Sequence, residues 1–559
     1  MRTQGMGWTG FLVLSAALQS CGGGGGGGGG AADPAASPRE APVRIVIREG
    51  LDEDSAGRTA LGFVEDEALW VSLRSPDGTE SSPVRVDEGM ESAASPPDAD
   101  SVHLIVTRRL DQSDRDRMHL FWYQNIQRYS VTVKALCYRR FLLDQGEILP
   151  SGDAYQNAAY VSLMGCSIQG YPDTTFFGGD SVGLRFVREP DTNNLMFVRH
   201  QEFQIGALLH RVPVVGLFIL DPDHQQPGQL LPQQGIVPTW FAGATSPYYS
   251  SPLPKDSLGI DTDLHLRNYS AYLVWTATTQ GVSYVTSATR TWSTDWTVVD
   301  ESKTLAGTEA ADARLIIPGS DPASAPYLVW KESGETGDRL RARRIGNTYS
   351  LNSVTLTPQH FTNGERIKDI ASVEFQNGFL MVAYKYENPL GVGGNIVMSN
   401  LPSNTNPTAY DPREFQAPSP DGAGSVGLLK PNGSNNALLT YSSKVDGTAA
   451  VVSVGVKSDL NLFSRATIPG AISQQIVKGS AGSASLILKG GSGDSAQLMS
   501  CKLEVTNLTP KWSTPTSLST DKIAVSTEGK ANYAAKRTSD GKVTGAVNTE
   551  AGIVYFKAE

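Results

Sequence analysis

Residues able to do chemistry are dispersed through this 559-residue chain. The seven histidines, His103, His119, His200, His210, His224, His265 and His360, stand singly, with no i, i+4 or His-x-His pair among them. Paired spacings of that kind aim two imidazoles at one metal, so each histidine reads as a surface or packing residue. Asp111, Asp114 and Asp116 crowd one inter-strand run. Clustered oxygens can hold calcium, but the turn glycine and closing glutamate of a calcium loop are missing, which leaves a solvated turn. Arg339, Arg341 and Arg343 alternate and therefore share one strand face, read here as a solvated surface with acids nearby. The chain contains no P-loop or HExxH, and its letter matches to GxSxG (GDSVG, 179–183) and GxGxxG (GAGSVG, 422–427) lack the strand-to-helix turn that either motif needs. Neither a metal nor a cofactor is implied.

One stretch differs in character. DPDHQQPGQLLPQQGIVPTWFAGATSPYYSSPLPKDS, residues 221–257, is rich in Pro and Gln and carries Trp240, Phe241, Tyr248 and Tyr249. Long connections without regular structure are functional or disordered, and planar aromatics stack on sugars or grip a peptide. These four are the candidate ligand-binding residues, with an aromatic plug as the competing reading. Among the four cysteines, Cys137 and Cys166 are the nearer pair of the body and the candidate disulfide. Cys501, in the strand-like AQLMSCKLEV, is then expected to be a buried thiol. Without a CxxC or a Cys/His cluster, structural zinc is not indicated.

The N-terminus supplies an address. MRTQGMGWTGFLVLSAALQSC has one early cation, Arg2, a short apolar core and no acid, the pattern of a secretory signal and too short to span a bilayer. Leu18-Gln19-Ser20-Cys21 resembles the bacterial lipobox. The resemblance implies that residues 1–20 are removed and that Cys21 is acylated on sulfur and amine, several chains giving durable anchoring where one would not. By similarity to the outer-membrane sorting rule of such lipoproteins, Gly22, where Asp would retain the protein inside, implies the outer membrane. Nine glycines follow, then AADPAASPREAP. Glycine has the most conformational freedom to lose on folding, so this run is a flexible tether, its glycines reaching roughly 15–18 Å. The expected domains are thus a signal over 1–20, a lipidated tether over 21–42 and a folded body over 43–559.

Lys and Arg number 47 against 57 Asp and Glu, for a net charge of −10. Removing residues 1–20 deletes Arg2 and no acid, so the body is more negative still. With no basic tract, nucleic acid is excluded as a partner and the lipid anchor becomes the membrane contact.

The body reads as all-β: runs of four to eight residues rich in Val, Ile, Leu, Thr, Tyr and Trp alternate with Gly, Pro, Asn, Asp and Ser clusters. Tyr-Leu-Val-Trp occurs at Tyr272–Trp275 and again 55 residues on at Tyr327–Trp330. Weaker copies align Leu69, Leu120, Met196, Leu273, Leu328, Leu380, Leu438, Leu486 and Tyr533, with gaps of 47 to 77 residues. A four-stranded unit at this period is the pattern of a β-propeller blade, whereas a row of β-sandwiches would repeat near 100. We expect about eight blades, within seven to nine. The count depends on whether VRIVIREG (43–50) or the Leu69 segment merely completes the last blade.

TRTWSTDWTVV (289–299) and TPKWSTPTSLS (509–519) place Trp-Ser-Thr where Asp-box turns end. The body in this respect resembles sialidase-like, Asp-box propellers, although the Asp and Gly of the box are missing. Such turns build blades and carry no activity. The resemblance implies, as an alternative, a glycan-active hydrolase using converging arginines, a Tyr–Glu pair and an acidic proton donor. The reading preferred on the residues is an envelope-anchored propeller that binds a glycan or protein ligand without catalysis.

Overall fold

The computed structural model describes the strands and many of the turns between Arg44 and Ala558. The first 43 residues lie outside that description, as do several connections within the body, chiefly 161–166, 169–180, 236–261, 402–412, 417–425 and 519–532. Cys21, Cys166, Trp240, Phe241, Tyr248 and Tyr249 are therefore not among the described residues.

Strands account for all the regular structure described, and they form nine antiparallel sheets taken in chain order. Blade 1 spans 44–85, blade 2 98–160, blade 3 167–235, blade 4 262–303 and blade 5 308–355. Blade 6 spans 366–416, blade 7 426–469, blade 8 471–517 and blade 9 533–558. Most are up-and-down meanders of four strands, with the first strand innermost. Blade 9 has three described strands, and blade 3 carries extra short ones, including a parallel pairing of Ser167 with Gln234. Nine blades is one more than the eight expected and within the expected range.

The second and third strands of the blades hide residues on both faces, because each sheet is sandwiched between two neighbours. Blades 4 and 5 show how alternation achieves this. Leu273 and Trp275 pack backward on Met196 and Val198 of blade 3, while Val274 and Tyr272 pack forward on Leu328 and Trp330 of blade 5. Tyr327 and Val329 then meet Val382 and Tyr384 of blade 6. The two Tyr-Leu-Val-Trp segments are thus equivalent second strands of adjacent blades, as expected. Trp122, Trp275 and Trp330 occupy matching positions and are almost fully buried. Removing such a side chain costs about 3–5 kcal/mol. Trp122 Nε1 donates to Gln124 Oε1 at 2.9 Å and Trp330 Nε1 to Glu332 Oε1 at 3.1 Å, so burial leaves neither indole N–H unpaired.

The ring closes through one further apolar cluster, where Val46, Leu51, Leu61 and Phe63 of blade 1 meet Ala534 and Ala546 of blade 9. VRIVIREG does not complete the last blade. From Arg44 it belongs to the innermost strand of blade 1, paired with Thr59–Glu65.

A repeated carboxylate clasps neighbouring blades. Asp52 Oδ2 accepts Val106 N of the next blade at 2.8 Å, Asp263 Oδ2 accepts Leu315 N at 2.8 Å, and Asp369 Oδ2 accepts Val426 N at 2.7 Å. In each case Oδ1 takes the N–H of the following residue, Glu53, Leu264 or Ile370. Burial nevertheless raises the Asp369 carboxyl above its ordinary range.

Candidate functional site

The innermost strands of blades 1, 2, 3 and 9, namely Arg44–Glu53, Asp98–Thr107, Ser181–Arg188 and Tyr533–Arg537, surround a recess of about 390 Å³. Its polar lining is Glu49, His103, Arg185 and Lys536, and Leu51, Leu104, Ile105, Leu184, Phe186 and Ala535 supply the apolar part. Three of these strands slip register as they reach the recess, between Val46 and Leu51, Asp98 and His103, and Val182 and Leu184. A bulge re-aims the side chains it displaces, and Glu49 lies inside the first one. Gly50 makes that bulge possible, since a Cβ there would come within 2.7 Å of Ile47 Cβ and 3.0 Å of Gly62 O.

The charges of the recess divide into two sets. Asp52, buried behind it, is bound by Lys536 from blade 9 and lies 3.8 Å from Arg188 Nη1 of blade 3. Arg188 also donates to Val106 O at 2.7 Å. Beside them Arg108 Nη2 donates to Glu53 Oε2 at 3.3 Å. Each of these charged groups has a partner among the others. Arg185, by contrast, is exposed and donates to the backbone oxygen of Leu184 at 3.3 Å. Neither Arg185 nor the exposed Glu49 has an ion-pair partner among the described residues.

His103 packs its ring on Phe186, centroid to centroid 5.1 Å. Burial first, then the nearby charge of Arg185, pushes its pKa down to about 4. The imidazole is therefore neutral at pH 7, one nitrogen able to donate and the other to accept. Behind it Phe186, Phe121 and Phe197 form an aromatic wall, with centroids 4.5 to 5.8 Å apart.

Glycoside cleavage normally uses two carboxyl groups, roughly 5–5.5 Å or 6.5–9.5 Å apart, one donating a proton and the other acting as nucleophile or base. The recess presents Glu49, while Asp52 is already committed to two backbone N–H groups and Lys536. Among the described residues no group of three or more His, Cys, Asp and Glu is placed to hold a metal ion. No helix of the described residues is long and apolar enough to cross a membrane.

Other candidates from the sequence fall elsewhere. The arginine row is half-buried in the third strand of blade 5. Arg341 donates to Thr355 Oγ1 at 2.7 Å and to Ser353 O at 3.4 Å, so it ties down the fourth strand instead of facing free solvent. Asp116 is buried and accepts Ser55 N at 2.6 Å, while Asp111 and Asp114 lie outside the described residues. Trp512 ends the short strand Thr509–Trp512 of blade 8 and packs with Leu486 and Cys501; Trp292 is not described. His119 sits between Thr107 Oγ1 and Tyr138 OH, 2.9 Å from each, as a packing residue. Cys137 is a buried thiol in the blade 1–blade 2 core, and its expected partner Cys166 lies outside the described residues. Cys501 is buried and free, as expected.

Taken together, the nine sheets and the interfaces between them define an all-β propeller. No family model matches the chain, and no curated protein matches it. Among solved structures it is similar to the Dos1 propeller, with 11% identity, 82% of this chain and 92% of that chain covered, and a TM-score of 0.35. A eukaryotic initiation factor shows 9% identity, coverage of 92% and 96%, and a TM-score of 0.35. An endo-arabinase from Bacteroides thetaiotaomicron VPI-5482 shows 13% identity, coverage of 44% and 94%, and a TM-score of 0.25.

Proposed function

We propose that the protein is a lipid-anchored propeller of the bacterial outer membrane that binds a ligand of the cell envelope, a glycan or a protein, without transforming it. The observation that carries the binding half is the recess, whose lining combines one exposed carboxylate, one exposed guanidinium, a neutral imidazole and an apolar wall. A recess that sets apolar side chains beside a few convergent polar groups suits recognition. The anchoring half is supported by Leu18-Gln19-Ser20-Cys21 behind an apolar core and by the glycine tether that follows. Trp240, Phe241, Tyr248 and Tyr249 are proposed to extend the ligand-facing surface.

The test is a glycan and envelope-protein binding screen beside a panel of glycosidase substrates, sialosides included. Binding without turnover supports the reading. Turnover abolished by Glu49→Gln would replace it with the sialidase-like alternative. For the anchor, mass spectrometry of the N-terminal peptide should find an acylated Cys21 as first residue. An unmodified cysteine or another N-terminus would refute it.

A further inference from the structure

We propose that the recess between blades 1, 2, 3 and 9 is a site for an organic monocarboxylate with an apolar body, its carboxylate taken by Arg185. This deepens the binding reading above and rests on it. Four cations stand at or beside the recess, and three of them are occupied: Lys536 and Arg188 face the buried Asp52, and Arg108 donates to Glu53. Arg185 is the cation left over. Its guanidinium is exposed, it has no carboxylate partner among the described residues, and its hydrogen bond to Leu184 O uses one of five N–H groups. A planar fork with free donors matches a carboxylate geometrically as well as electrostatically.

Three further features narrow the ligand. Glu49 lines the same recess and would repel a second negative charge, which disfavours phosphate monoesters and polyanions. Leu51, Leu104, Leu184 and Phe186 offer an apolar surface that a small inorganic anion would leave unused. His103 adds no charge near neutral pH, so it can pair with a hydroxyl or amide on the ligand without drawing it toward higher charge. A volume of about 390 Å³ suits a body the size of one aromatic or sugar ring with its substituents.

The experiment uses calorimetric titration of the full-length protein with N-acetyl-L-phenylalanine, with its uncharged amide and phenyl phosphate as controls. The acid should bind, the amide about tenfold more weakly or worse, and phenyl phosphate more weakly than the acid. Arg185→Gln should weaken acid binding by about tenfold, the amide being unaffected. Because Arg185 is exposed, the thermal midpoint should not move, which separates a lost contact from a lost fold. No binding of the acid to the wild type, equal binding by the variant, or a preference for phenyl phosphate would each overturn the proposal. Capture of an envelope ligand that ignores Arg185→Gln would remove this site and leave the binding reading intact. Glycoside turnover would remove the reading itself.

Discussion

Asp52 and Lys536, 484 positions apart in sequence, form the ion pair that joins the first blade to the last. The ring closes blade against blade, by this pair and an apolar seam, with no strand exchanged between the described parts of blades 1 and 9. On the outer side of the seam Arg74 stacks 4.1 Å over the ring of Tyr555, whose hydroxyl donates to Glu80 Oε1 at 3.2 Å. Asp52 also takes Val106 N and Glu53 N, so a single carboxylate links blades 1, 2 and 9.

Asp52→Ala should therefore destabilise the body by about 2–4 kcal/mol, since it strands two backbone donors and the Lys536 ammonium. Lys536→Met should cost less, about 1 kcal/mol, because the lysine is partly exposed and its loss leaves Asp52 with its backbone donors. Urea unfolding of the two variants would show this order, and an Asp52→Ala cost below that of Lys536→Met would contradict it.

Acid should loosen the propeller through blade 2. His103 has a folded pKa of about 4 against 6.5, and burial drives His119 well below its ordinary value too. Both are held neutral, so the unfolded chain binds their protons more readily. The stability they contribute is complete above pH 6.5 and falls as the pH drops toward 4. For His103 the loss approaches about 3 kcal/mol. Asp369, raised by burial, works in the opposite sense. Comparing wild type with His103→Gln isolates the histidine: the variant should lose visibly less stability between pH 7 and pH 4.5, and parallel curves would count against the assignment.

Two glycines with positive φ should respond differently to alanine. At Gly337, φ is +118° and a Cβ would stand 2.9 Å from Glu365 N, against the backbone that bridges blades 5 and 6. Gly337→Ala should cost about 3 kcal/mol or more, combining strain with a collision that no side chain can relieve. Gly447, at φ +78° in an open two-residue hairpin, has nothing within 4 Å, so Gly447→Ala should cost about 1–2 kcal/mol from the left-handed backbone alone. Thermal unfolding of the pair decides it, equal costs being the contrary result.

The repeat was legible because Tyr272–Trp275 and Tyr327–Trp330 must bury both faces, which imposes an apolar run at every blade. Phase was harder to read than period. Leu69 falls in a third strand and Tyr533 in a first, whereas the other seven aligned positions lie in second strands. The hairpin at Asp446-Gly447 announces itself by its glycine. Its counterpart at Asp66-Glu67 puts two non-glycine residues at φ 50° and 60°, and nothing in their types signals this. The recess was not legible. Glu49, His103, Arg185 and Lys536 come from four strands spread over nearly the whole chain, one residue each. No spacing connects them until the ring closes. A charged residue inside an otherwise apolar strand, as in SVGLRFVR, is the nearest thing to a signal.

The two described cysteines should behave as core thiols. Cys137 lies among Ile47, Leu69, Leu120 and Trp122, and burial pushes its thiol far above the ordinary range; Cys501, among Leu486, Leu488 and Trp512, is raised to about 12. Thiolate is the reactive species, so both should resist a water-soluble thiol reagent in the native protein. The Sγ of Cys137 points to the Ala135 carbonyl at 3.7 Å within its own strand, so nothing in its setting holds it ready for oxidation. In denaturant both should label fully without prior reduction, and non-reducing peptide mapping should recover Cys137 unlinked to Cys166. Native labelling of Cys501 would mean that the interface between blades 7 and 8 opens. A Cys137–Cys166 peptide would mean that the segment 161–166 reaches into the core between blades 1 and 2, and the described packing of Cys137 would then be wrong.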